Sequence, residues 1–131
     1  MATYNFHAFI QKADTIFRKK FEGYGYSREE VKINEIGGRI WSVHLIYVNA
    51  LADLRIVIKQ EPYYTDYGFS IFINKLGANQ YNILYNVPHE KQDKENGYLA
   101  IGCEEIFSTT EIIDLISGKS WKILGYIPFL K

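Results

Sequence analysis

Phe6, Phe9, Ile10, Ala13, Ile16, Phe17 and Phe21 recur at spacings of three and four, which lays them along one face of a helix. Gln11, Lys12, Asp14, Thr15, Arg18, Lys19 and Glu22 fall on the opposite face, with Asp14 and Arg18 four apart as a supporting ion pair. Thr3 or Asn5 caps the start of this helix. Gly23 and Gly25 stop it, since glycine accepts the left-handed conformation at a helix C-terminus. Arg18, Lys19 and Lys20 occupy the last turns, where cations favour the helix dipole.

From Val31 the period changes to two. Val31 to Ile36 reads as a strand, and Gly37-Gly38 as a tight hairpin turn. Arg39 to Asn49 is a longer strand with Ile40, Ser42, His44, Ile46 and Val48 on one side and Trp41, Val43, Leu45 and Tyr47 on the other. Both sides are largely apolar, which predicts a central strand covered at least in part on both faces. Leu54 to Gln60, Gly68 to Leu76 and Gln80 to Val87 continue the run, and Pro88 ends it. Connections this short join antiparallel neighbours far more readily than parallel ones.

His89 to Gly97 is a polar, charged connection, predicted to be the most mobile segment of the chain. Ser108-Thr109-Thr110-Glu111 matches a capping box. Ile112, Ile113, Leu115 and Ile116 then form a short helix that Gly118 stops, and Ser120 to Leu130 is either an edge strand or a packed tail. The expected fold is one α+β domain over residues 1–131. An N-terminal amphipathic helix packs on an antiparallel β-meander of about five strands, with a short capped helix near the C-terminus.

Composition sharpens this picture. The 131 residues suit one domain and are 47% hydrophobic, ample for a packed core. Eleven tyrosines exceed what a core demands, and surplus phenols, apolar in body and polar at the tip, gather at surfaces that touch a partner. Fifteen basic and fifteen acidic residues balance, which argues against nucleic acid, whose binding is driven by a basic face releasing counterions. Cys103 stands alone, which excludes an internal disulfide and a cysteine-based zinc site. Met1 to Ile10 lacks the basic start and apolar run of a signal peptide, and no apolar stretch is long enough to span a bilayer. A cytosolic protein without a membrane partner is expected.

Few residues carry chemistry. Gly23-Tyr24-Gly25 follows a helix and Gly37-Gly38 lies between strands, the reverse of a phosphate-binding glycine loop. His7, His44 and His89 are scattered without metal-ligand spacing, and no cofactor or metal site follows. The acidic surroundings of Cys103 oppose a thiolate, and Glu104, Glu105, Glu111 and Asp114 read as helix and surface carboxylates. No motif places a catalytic residue, so an enzyme is the weaker reading.

Two candidate sites remain. Gln60-Glu61-Pro62-Tyr63-Tyr64-Thr65-Asp66-Tyr67-Gly68 joins two strands, and sets Tyr63, Tyr64 and Tyr67 as contact anchors beside the acidic guides Glu61 and Asp66, suited to a basic protein partner. Against this stands the plainer reading that some of these rings pack under the domain. The second candidate is a ligand pocket or small active site between helix and sheet, formed by His44 with Tyr47 or Tyr85. Single-stranded nucleic acid binding through Trp41 and Tyr47 with Arg39, Arg55 and Lys59 is a further alternative.

The amphipathic helix ending in Phe21-Glu22-Gly23-Tyr24, the meander through Trp41, Ile56, Phe72 and Tyr85, and the short capped helix together resemble small cytosolic immunity proteins. These belong to bacterial toxin–immunity systems, the contact-dependent inhibition type included. The resemblance lies in architecture and composition, carries no motif, and transfers no residue. It implies a protein that binds one toxin domain tightly and blocks its active site.

Overall fold

The computed structural model describes residues 4–62, 68–77, 80–92 and 96–121, excluding the side chain of His89. Helix α1 (Phe6–Glu22) begins at Asn5, whose Oδ1 accepts the Ala8 amide at 3.0 Å. Thr3, the other proposed cap, lies outside the described residues. Phe6, Phe9, Ala13, Phe17 and Phe21 are buried along one face, as the spacing predicts. Gly25, at φ +94°, lets the chain reverse so that the Tyr26 amide donates back to the Phe21 carbonyl at 3.1 Å.

Five strands follow: β1 (Ser27–Ile36), β2 (Arg39–Asn49), β3 (Leu54–Gln60), β4 (Phe69–Lys75) and β5 (Tyr81–Val87). They pair antiparallel in chain order, β1-β2-β3-β4-β5. The α+β meander expected from periodicity is the observed architecture. β1 starts at Ser27 rather than Val31. Its exposed opening residues carry no apolar pattern and owe their extended form to pairing with Tyr47 and Val48. Gly37 and Gly38, at φ +60° and +79°, supply the two left-handed residues that a two-residue hairpin turn requires.

The helices pack on one face of the sheet. Val43, Leu45 and Tyr47 of β2 meet Ile56 and Ile58 of β3 and Ile71 and Ile73 of β4 there, all fully buried. This corrects the side of β2 assigned to a pocket: Ser42, His44, Ile46 and Val48 lie on the face away from α1, and His44, Ile46 and Val48 are half-buried there. Ile40 departs from their company and packs against the core. A register shift between Asn34 and Glu35, opposite the Ser42–Ile40 step, breaks the alternation.

After β5 a 3-10 turn (His89–Lys91) leads toward α2 (Tyr98–Ile106) and α3 (Thr110–Ser117). α2 was not legible in sequence because Gly102 interrupts it and its N-cap, Gly97, offers no side chain. The glycine has a structural reason: a Cβ there would run into the Tyr85 ring. The expected capping box is also corrected. Thr109 is the N-cap of α3, and no side chain caps it. Instead the hydroxyls of Ser108 and Thr109 donate back to the Glu105 carbonyl, at 3.2 and 2.9 Å, closing the end of α2. Gly118 ends α3 at φ +78°, and the Tyr26 hydroxyl ties that helix down by donating to the Ile116 carbonyl at 2.7 Å. No described helix is long and apolar enough to cross a membrane.

Candidate functional site

The connection between β3 and β4 is closed at its root. The Glu61 amide donates to the Gly68 carbonyl at 2.7 Å, so the chain leaves and re-enters the sheet at one point. The Glu61 carboxylate lies 3.3 Å from Lys59 Nζ, and its side chain is only 14% exposed. Its charge is therefore directed at its own sheet, less outward than an acidic guide on a contact surface requires. Tyr63, Tyr64, Asp66 and Tyr67 lie outside the described residues.

Under this root sits a buried polar cluster that sequence reading missed. Gln60 has no solvent exposure, and its Nε2 lies 2.9 Å from the hydroxyl oxygens of both Tyr4 and Tyr98 and 3.2 Å from Gln92 Oε1. Both phenols in turn donate to Asn96 Oδ1, at 3.4 Å from Tyr4 and 3.1 Å from Tyr98. Gln92 Nε2 reaches back to the Val87 carbonyl at 3.2 Å. Asn96 adopts φ +58°, which an asparagine tolerates better than most side chains, and is itself buried.

Every member of the cluster is an amide or a phenol. The set is suited to holding chain segments in place rather than to exchanging protons. It joins the segment before α1, at Tyr4, to the end of β3 and to the approach and first residue of α2, and so anchors two connections at the same end of the sheet. The available signal was a lone Gln at the inward parity of an apolar strand, opposite Phe69. Buried polar groups require partners, so such a residue announces others that must converge on it.

The second candidate set is divided by the sheet. Tyr47 is buried on the helix side, where its hydroxyl donates to Asp14 Oδ1 at 2.8 Å. Burial, then the hydrogen bond to Asp14 and its negative charge, push the phenol pKa upward against the opposing Arg28 and Arg18. Tyr85 packs edge-on against Phe69, with ring centroids 6.2 Å apart, and faces α2 at Gly102. Burial and then Glu105 raise its pKa. His44 lies on the far side. Its Nε2 is enclosed without a hydrogen-bond partner, and burial first, then Lys59, with Lys32 adding and Glu61 opposing, lower its pKa.

No common hollow therefore collects His44, Tyr47 and Tyr85. Open grooves lie elsewhere. One of about 380 Å³ runs between α1 and α2 past Ile16, Lys20, Cys103 and Phe107. Another of about 380 Å³ lies between the start of α1 and the β1–β2 turn at Gly38. Cys103 is buried, its Sγ 3.9 Å from the Ile16 carbonyl oxygen, and burial raises its thiol pKa against the pull of Lys20. Among the described residues no three His, Cys, Asp or Glu side chains converge as metal ligands would.

The proposed nucleic-acid platform also loses a member. Tyr47 has no exposed ring on which a base could stack, Arg55 Nε is spent on Asn74 Oδ1 at 3.2 Å, and Lys59 is held by Glu61. Compared with known proteins, the chain matches no family model, no curated protein and no solved structure.

Proposed function

We propose that this chain is a non-catalytic binding protein, an immunity-type inhibitor that recognises one bacterial toxin domain and blocks it. The observation that carries the reading is the anchoring of the Tyr-rich connection. It leaves the sheet at a root closed by Glu61 and Gly68 and seated on the buried Gln60 cluster. A contact segment held at its base loses less conformational entropy on binding, which favours affinity. Tyr63, Tyr64 and Tyr67 supply rings of the kind that dominate binding energy, and Asp66 supplies negative charge. Glu61 contributes outward charge only by exchanging Lys59 for a cation of the partner.

The toxin-inhibitor reading is tested in cells. Each gene neighbouring this one is cloned, any product that arrests growth is expressed with and without the chain, and growth is followed. Protection by the native chain, lost in a Tyr64→Ala/Tyr67→Ala variant that still accumulates, supports the proposal. Equal protection by the variant removes the loop from it, and no protection by the native chain removes the inhibitor.

A further inference from the structure

β1 is an edge strand with no neighbour on its outer side among the described residues. It is ten residues long, and eight of them are exposed. Edges of this kind are normally blunted, because unpaired amides and carbonyls invite a second strand. Here the irregularities fall toward the ends: register shifts lie between Arg28 and Glu30 and between Asn34 and Glu35. The stretch from Glu30 to Asn34 between them pairs with β2 without interruption and leaves a regular outer edge.

The side chains on that stretch alternate in a way that distinguishes possible partners. Glu30 and Lys32, opposite Ile46 and His44, face away from the helices, whereas Val31 and Ile33, opposite Leu45 and Val43, face the helix side. Ile33 is 41% exposed although it lies on the apolar side. From this pattern we infer that β1 pairs antiparallel with β1 of a second copy of this chain, about a two-fold axis through Val31, joining two five-stranded sheets into one.

The register follows from charge. An axis through Lys32 sets the two Lys32 side chains opposite each other, and like charges directly across a strand pair repel. An axis through Ile33 sets Glu30 against Ile36 and leaves both charges unpaired. An axis through Val31 sets Glu30 of each copy against Lys32 of the other, twice, on the face away from the helices. On the helix side it brings Val31 onto Val31 and places the two Ile33 side chains diagonally beside that pair, while each Ile33 lies across from the exposed Glu29 at the register shift, where the strands begin to part. The interface is self-complementary, as a two-fold pairing demands.

The test is sedimentation equilibrium of the full chain and of E30K, K32E and the E30K/K32E double variant, each checked for fold by circular dichroism. The native chain is expected to dimerise. Each single reversal turns two attractive pairs into two repulsive ones and should weaken the dimer roughly tenfold. The double variant restores opposite charges in the same register and should recover most of that loss. A native chain that stays monomeric at millimolar concentration overturns the proposal. So does a dimer indifferent to the single reversals, or one in which the double variant is as weak as the singles. Because these readings involve no toxin, they stand or fall separately from the inhibitor function.

Discussion

The Tyr47 hydroxyl donates to Asp14 Oδ1 at 2.8 Å, pinning the middle of α1 to the second strand of the sheet. The same carboxylate receives Arg28 at 3.1 Å from β1 and Arg18 at 3.4 Å from its own helix. One acidic side chain thus joins three elements, and the sequence offered only its i,i+4 pairing with Arg18.

Replacing Tyr47 by Phe should remove this hydrogen bond while keeping the ring that packs on Phe21, at about 1 kcal/mol in urea denaturation. Tyr47→Ala empties a fully buried site and should cost about 3–5 kcal/mol. Equal losses from the two variants would contradict this division between bond and ring.

Tyr26 and Tyr47 both have phenol pKa values raised above the ordinary value, by burial first. A raised folded-state pKa means that the folded chain holds the proton more tightly than the unfolded one. The associated stability is complete below about pH 10, the unfolded value, and is lost as pH rises beyond it. Denaturation midpoints should fall above that pH, and Tyr47→Phe should flatten the fall. A midpoint that stays level to pH 11 contradicts the assignment.

His44 has the opposite sense. Burial and then Lys59 lower its pKa, so the unfolded chain binds the proton more readily than the folded one. Stability is full above about pH 6.5 and declines as pH falls through the unfolded value toward the lowered one. Lys59→Gln should raise the His44 pKa, read from its ring protons by NMR. An unchanged value would show that the lysine is not felt at the imidazole.

Gly102→Ala drives a methyl group against one edge of the Tyr85 ring, closer than van der Waals contact allows, and should cost about 1–3 kcal/mol by overpacking. Adding Tyr85→Leu should return part of that loss in denaturation measurements. Two independent, additive penalties would mean that the ring and the glycine do not share the space.

The strands were largely legible because their apolar alternation is local: β2 and β3 span the residues that period two marks out. α1 was legible from its phenylalanines for the same reason. Features set by distant partners were not. Parity divides β2 into two sides but does not say which meets a helix, and His44 consequently falls on the face away from α1. α2 was hidden by Gly102, whose reason is a tyrosine on another element. The Gln60 cluster ties Tyr4 to Asn96, 92 positions apart, beyond any periodicity. Of the candidate contact residues, Glu61 proves to be turned toward Lys59, two positions back and on the same side by the strand period of two, a pairing the sequence did hold.

The inhibitor reading is tested most directly by the rate at which a toxin complex falls apart. Dissociation of the native chain and of Tyr64→Ala/Tyr67→Ala from a toxin domain that the chain neutralises in the growth assay is measured by surface plasmon resonance, with thermal melts alongside. Two truncated anchor tyrosines should speed dissociation roughly a hundredfold or more while leaving the melting temperature nearly unchanged. Dissociation as slow as that of the native complex would contradict the account.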